Sequence, residues 1–336
     1  MNVSRVIRMM VVLVTGVAIV GSVFASGAQE SSAPESNVIG ISKIVAHPAL
    51  DDVEQGIIDE LTDLGFTDLE YDLQNANGDM STASSIASKF RNDRVRLAVG
   101  IATPTAQALA NTLTDIPVVF AAVTDPVGAG LIDSTDAGQG NITGSSDLTP
   151  VEAQFDLMEN LTDVEAVGHV YAGGESNAVA LADLARQAAE SRGIEFVETT
   201  VVNSSEVRSA TQSIIDRVDA LYVSNDNTVV SALSALTEVA AGAEVPVVSA
   251  DTTSAESGGV LAALGFNYYK FGRATGRLIA EILDGADPAD IPTLFLEDPA
   301  DLDVLINLDV AEALGIEVSD AVMSDASIVI EDGAVR

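Results

Sequence analysis

The sequence predicts an α/β protein built as two doubly wound parallel-sheet lobes joined by a hinge. Three observations carry this. Short apolar runs end repeatedly in polar clusters that open a helical pattern: Ala102-Thr103-Pro104 after 97–101, Thr124-Asp125-Pro126 after 118–123, Asn225-Asp226-Asn227-Thr228 after 220–223, and Ala250-Asp251-Thr252-Thr253 after 245–248. That is how the carboxyl ends of parallel strands look, and ligands bind along such rims. The 336 residues suffice for two cores. With 47% apolar residues, 4% aromatics and no Trp, those cores must be aliphatic.

The elements follow in order. Residues 38–44 read as a strand and 50–64 as an amphipathic helix, with Ile57, Ile58 and Leu61 on one face. A strand is expected at 69–74, then a helix at 81–90 with Ser81 as its cap. Residues 95–101 and 118–123 are near-continuous apolar runs, as in strands buried on both faces. A second series starts near Thr149-Pro150. Helices at 151–161, 178–191, 206–217 and 228–241 alternate with strands at 166–172, 196–201, 220–223 and 245–249. A strand at 258–266 and a long helix at 269–283 come next. The tail holds apolar segments at 292–296 and 305–307, a short helix at 308–314 and a last strand at 327–330. Two runs of βα units imply two open parallel sheets covered by helices on both faces. Asp147-Leu148-Thr149 is the natural first crossing between them.

The N-terminal end reads as an export signal over residues 1–28. Arg5 and Arg8 precede an apolar stretch, 9–24, too short for an ordinary membrane span. Small residues allow cleavage after Ala25 or after Ala28; an uncleaved anchor is the alternative. Residues 29–37 form a Ser/Ala/Glu/Pro tether. The chain has no Cys, which excludes disulfides, thiolate metal sites and lipid attachment at a lipobox. An exported, soluble, periplasmic protein is expected.

The formal net charge is −36. Removing residues 1–28 takes away two Arg and no acid, leaving 13 basic and 51 acidic residues. Nucleic acid and anionic membranes are disfavoured as partners by repulsion. The acids are spread along the chain rather than blocked, which reads as a solvated, salt-adapted surface. Catalytic signatures are missing: no GxSxG, no P-loop, no HExxH and no Cys nucleophile. Gly128-Ala129-Gly130 follows Pro126 and reads as a turn. His47 and His169 are too far apart in sequence to suggest a metal site, so neither cofactor nor metal is expected.

Several stretches resemble the periplasmic-binding-protein-like substrate-binding components of ABC transporters, in the branch linked to tryptophan and other aromatic amino acids. They are IVAHPALD at 44–51, NANGDMSTA at 75–83, IATPTAQA at 101–108, AVTDPVGAGL at 122–131, NITGSSDLTPVE at 141–152, VNSSEV at 202–207, YVSNDNTVVSAL at 222–233 and GFNYYKFG at 265–272. The resemblance runs from about residue 38 to 318. It implies a type I binding protein with three crossovers between its lobes. Residues 38–147 plus 267–296 would form the first lobe, and 148–266 plus 297–336 the second. It further implies capture of an amino acid, an aromatic one, by hinge closure for an inner-membrane ABC permease. The protein is expected to work as a monomer. A sensory receptor acting through a membrane kinase or chemoreceptor is the alternative.

A zwitterion needs donors for its carboxylate and an acceptor for its ammonium. Helix N-termini supply the donors, and Ala102-Thr103, Thr124-Asp125 and Ser176-Asn177 are the candidates. Each also serves as an ordinary helix cap. For the ammonium, Asp251 is the first choice and Asp226 the second, flanked by Asn225 and Asn227, whose amides can bond either end of the ligand. His47 faces the cleft in the loop after the first strand, whereas His169 lies in an apolar strand and reads as core. Tyr268 and Tyr269 follow a strand end; one should line the cleft and the other pack on its lobe.

Overall fold

The computed structural model describes residues 36–256 and 258–336. The expected export signal and nearly all of the tether lie outside the described residues.

The first group of elements is β1 (Val38–Lys43), α1 (Pro48–Asp63), β2 (Glu70–Asn75), α2 (Met80–Asp93), β3 (Leu97–Ile101), α3 (Thr103–Thr112), β4 (Val118–Ala121) and β5 (Ile142–Ser146). β3 and β4 are buried along their whole length, as their unbroken apolar runs require. α1 begins at Pro48, whose missing N–H costs nothing in a first turn. α2 begins earlier than expected: the cap is Asp79, whose Oδ1 accepts from the Thr82 N–H at 2.6 Å, and not Ser81. A carboxylate satisfies an orphan N–H and also meets the positive end of the helix dipole.

The second group is α4 (Val151–Leu161), β6 (Ala166–Ala172), α5 (Ser176–Arg192), β7 (Glu195–Val201), α6 (Val207–Ile214), β8 (Ala220–Val223), α7 (Asn227–Val230), α8 (Leu233–Gly242), β9 (Val247–Ser249), α9 (Thr252–Ala255) and β10 (Ala262–Phe266). The single helix expected at 228–241 is thus two, α7 and α8, broken at Ser231-Ala232. The strand expected at 258–266 is shorter, because Gly258 and Gly259 both take positive φ in the turn that follows α9.

The chain then returns to the first group with α10 (Tyr268–Leu283) and β11 (Leu294–Phe295). It closes on the second with β12 (Leu302–Asn307), α11 (Leu308–Leu314), α12 (Asp320–Asp325), β13 (Ile328–Glu331) and β14 (Ala334–Val335).

Two sheets result, each covered by helices. The first has the order β11-β5-β4-β3-β1-β2 and is parallel throughout. The second has the order β14-β13-β12-β10-β9-β8-β6-β7. It is parallel from β7 to β10, but β12 runs antiparallel to β10, and β14 to β13. The second sheet is thus mixed at one edge, and the path of the chain explains it. β10 ends at the rim where the chain leaves for α10, and β12 re-enters at that same rim, with the Asn267 N–H bonded to the Asp301 carbonyl at 3.0 Å. A strand that starts where its neighbour ends must run the other way.

The core divides with the sheets. Ile39, Ile41, Phe90, Val99 and Phe271 are buried on the first, and Val170, Leu221, Val223 and Ala263 on the second. α10 packs on α1 at very short range. A Cβ on Gly272 would collide with the Val53 carbonyl, and one on Gly56 with the Tyr269 carbonyl.

Candidate ligand-binding cleft

The strand ends of both sheets face one another across a cleft. α3 rises from the rim of the first sheet and α5 from the rim of the second, and the two helices touch. α1 and α9 touch as well. Between them lies a small cavity of about 20 Å³.

The first sheet's side of the cavity is lined by His47 and Leu50 around the start of α1, Ala122 and Thr124 after β4, Asp147 after β5, and Tyr268 at the start of α10. The second contributes Asn177 in α5, Asn225, Asp226, Asn227 and Val230 around α7, and Asp251 after β9. No Lys or Arg is among them.

Local chemistry explains how these residues are held. Asp226 is fully buried and caps α7: its Oδ1 accepts from the Val229 N–H at 2.9 Å, and its Oδ2 from the Ala172 N–H at 2.6 Å. Burial and the neighbouring Glu175 push its carboxyl up to about 7, against those two donors. Glu175 in turn receives Asn227 Nδ2 and Thr228 Oγ1, both at 2.6 Å. Asp251 caps α9 through the Ser254 N–H at 3.0 Å. Ala102 and Ala122 both take positive φ, +74° and +52°, immediately after β3 and β4. Such backbone is costly for a residue with a Cβ and gathers where a site needs an unusual chain path.

Asp147 is the hub of a buried network. It accepts from Thr124 Oγ1 at 3.0 Å, the Tyr268 hydroxyl at 3.1 Å and Asn225 Nδ2 at 3.4 Å. Asn225 Nδ2 also donates to the Tyr268 hydroxyl at 2.8 Å. Burial raises the Asp147 carboxyl above the usual range, while these donors pull it back. Burial and Asp147 hold the Tyr268 phenol well above its ordinary value, so it stays protonated. Burial lowers His47, with Asp251 and Asp51 opposing. Both of its ring nitrogens are buried without a partner.

Of the residues singled out by sequence, His47, Thr124, Asn177, Asn225, Asp226, Asp251 and Tyr268 line the cavity. Ala102, Thr103 and Ser176 stand at the helix starts beside it, with Thr103 Oγ1 and Ser176 Oγ buried and unpartnered. Asp125 and Tyr269 are elsewhere. Asp125 Oδ1 closes its own turn by accepting from the Gly128 N–H at 2.8 Å. The Tyr269 hydroxyl donates to Asp59 Oδ2 at 2.9 Å, on the α1 side. Leu50, Ala122, Asp147 and Val230 were not anticipated as lining residues, whereas Asn227, expected beside Asp226, does line the cavity. Asp147 had a signal, an acid just past a strand end, but that strand (ITGSS) is too polar to announce itself. Among the described residues no group of three acidic, His or Cys side chains is placed to hold a metal ion. No described helix is long and apolar enough to cross a membrane.

Two sheets whose strand ends enclose one cavity define a two-lobed solute-binding protein, in which ligand is held between lobes that move on a hinge. The model of the ABC transporter substrate binding protein family matches residues 38–330, and the chain belongs to that family, whose members bind solutes rather than transform them. The chain is 36% identical over 301 residues to a tyrosine-binding protein of Clostridioides difficile, covering 88% of this chain and 86% of the relative. It is similar to a Streptococcus pneumoniae ABC domain in complex with L-Trp, with a TM-score of 0.84 at 32% identity over 88% of this chain and all of the other. Against the ligand-free, open structure of a Clostridium difficile substrate-binding protein with adhesive properties, the TM-score is 0.66 at 34% identity, over 88% and 99% of the two chains.

Proposed function

We propose that the cleft captures an aromatic amino acid outside the cytoplasm and delivers it, as a monomer, to the membrane permease of an ABC importer. The observation that carries this reading is the balance of charge in the cavity. Three buried acids, Asp147, Asp226 and Asp251, line a wall with no basic side chain. An anion alone would be repelled there, and an ammonium is needed. Thr103 Oγ1, Ser176 Oγ and the first-turn N–H groups of α3 and α5 then receive the ligand's carboxylate. Asp251 takes the ammonium, and the ligand's ring lies against His47, Leu50, Val230 and Tyr268. The tyrosine-binding relative and the L-Trp complex support the aromatic class.

The test is a thermal-shift screen of unfolded and refolded, ligand-free protein against the twenty amino acids, a sugar set and purines. A ligand that binds only the folded state raises the melt by mass action. L-tyrosine or L-tryptophan should stabilise, with a Kd of about 1 μM, or roughly 8 kcal/mol. Asp251→Ala should weaken binding by about tenfold or more by removing a charged hydrogen bond. A shift with sugars or purines alone would reject the ligand class and leave the fold intact.

A further inference from the structure

The network around Asp147 does more than fill space. A carboxylate only accepts hydrogen bonds, and a phenol has one proton to give. The Tyr268 proton goes to Asp147 Oδ2, so the same oxygen offers its lone pair to Asn225 Nδ2. The Asn225 amide therefore has one permissible orientation. Turned over, its Oδ1 would face a carboxylate oxygen and a hydroxyl whose proton is already committed. With the nitrogen so engaged, Asn225 Oδ1 is left buried and without a partner in a residue that lines the cavity. An unmet acceptor in such a place is costly unless the ligand completes it.

The three residues also come from different parts of the molecule. Asp147 ends β5 of the first sheet, and Tyr268 opens α10, which packs on α1. Asn225 follows β8 of the second sheet. The bonds that orient Asn225 thus span the cleft and exist only while the lobes are together.

We infer that Asp147, acting through the Tyr268 hydroxyl, is a positioning residue that turns the Asn225 amide so that its Oδ1 accepts from the ligand's ammonium in the closed form. This rests on the amino-acid reading of the cavity. It adds that selection for the ammonium is made at closure, by an amide of the second lobe set by a carboxylate of the first.

The experiment compares ligand pairs that differ only in the ammonium: L-tyrosine with 3-(4-hydroxyphenyl)propanoate, and L-tryptophan with indole-3-propanoate. Calorimetric Kd values are taken for the wild type, Asp147→Asn and Tyr268→Phe. The wild type should prefer the amino acid of at least one pair. Both variants should lose about tenfold or more in affinity for that amino acid, because the lost contact is to the ammonium, while its deaminated partner changes by less than about twofold in Tyr268→Phe and binds equally or more tightly in Asp147→Asn, where a repelling carboxylate is gone. Tyr268→Phe is the sharper variant. It removes no charge, so a collapsed preference in it cannot come from weaker attraction to a cation, and it decides the matter if Asp147→Asn fails to fold. Equal losses for both members of a pair would mean a merely structural role and overturn the inference, as would unchanged preference in the variants or no preference in the wild type. A wild type that binds neither amino acid overturns the amino-acid reading itself, and this inference with it.

Discussion

The ring of His169 shows how burial sets the chemistry of a single residue. Its Nδ1 lies 2.9 Å from the Tyr222 carbonyl, which can only accept, so the proton sits on Nδ1. Nε2 is bare and unpartnered, among the rings of Tyr171, Phe196 and Tyr222. A second proton there would place a charge in an apolar box, and burial lowers the pKa from 6.5 to about 4. The folded state therefore binds fewer protons than the unfolded one between those values. Stability from this residue is complete above pH 6.5 and is lost as pH falls toward 4, by roughly 3 kcal/mol in all. His169→Gln keeps a donor for the carbonyl and removes the titration. Urea melts across this window should show a shallower pH slope for the variant, by up to one proton, and identical slopes would contradict the account. Asp226 acts in the opposite sense. Its carboxyl is raised to about 7, so its contribution fades as pH rises toward that value. Comparing variant with wild type cancels that background.

At the scale of elements, the pairing of α1 with α10 holds the first lobe together, since these helices lie far apart in sequence. It is made by small residues. Gly56, Gly272 and Gly276 let the backbones approach until a Cβ at any of them would overlap Tyr269, Val53 or Glu60. Arg273 then ties the outer edge, with Nε on Glu60 at 2.5 Å and an Nη on Asp63 at 2.7 Å. Gly272→Ala should raise helix propensity yet lower stability, by about 2 kcal/mol, because the added methyl meets a backbone carbonyl that cannot rotate away. A chemical melt checks it, and a neutral or stabilising result would show that the helices can separate freely. The same element bears on closure, because α10 opens with Tyr268 at the cavity and continues along α1.

For the whole molecule, repulsion between like charges opposes compactness in addition to chain entropy. Acidic residues number 51 against 15 basic ones, so most carboxylates have no base to pair with. The bases present are shared: Arg192 meets Glu152, Asp156 and Glu159, and Lys43 meets Asp51 and Glu54. Unpaired like charges on a compact body repel, and salt screens them over a Debye length of about 10 Å at 0.1 M and about 3 Å at 1 M. The melting temperature should therefore rise steadily from low salt to molar NaCl. A flat or falling profile would show that the charge is already balanced by local geometry.

The sequence alone determined the α/β class, the succession of βα units and the polar rims, because strand and helix periodicity and strand-end clusters are local signals. Asn225, Asp251 and Tyr268 were legible for that reason: each sits just past a strand that announces itself by apolar residues. Asp147 was legible as a crossing and not as a hub, because the strand before it is ITGSS and because its partners lie 23, 78 and 121 residues away. Ala122 carries no chemical signal; only its backbone angle sets it apart. The choice between Tyr268 and Tyr269 was open because adjacent helical residues point about 100° apart, and only packing on α1 says which one faces in. The antiparallel turn of β12 likewise depends on where the chain re-enters the second sheet. Tertiary structure decided whatever joins distant segments, since contacts across a cleft are set by the path of the chain and leave no periodic trace in it.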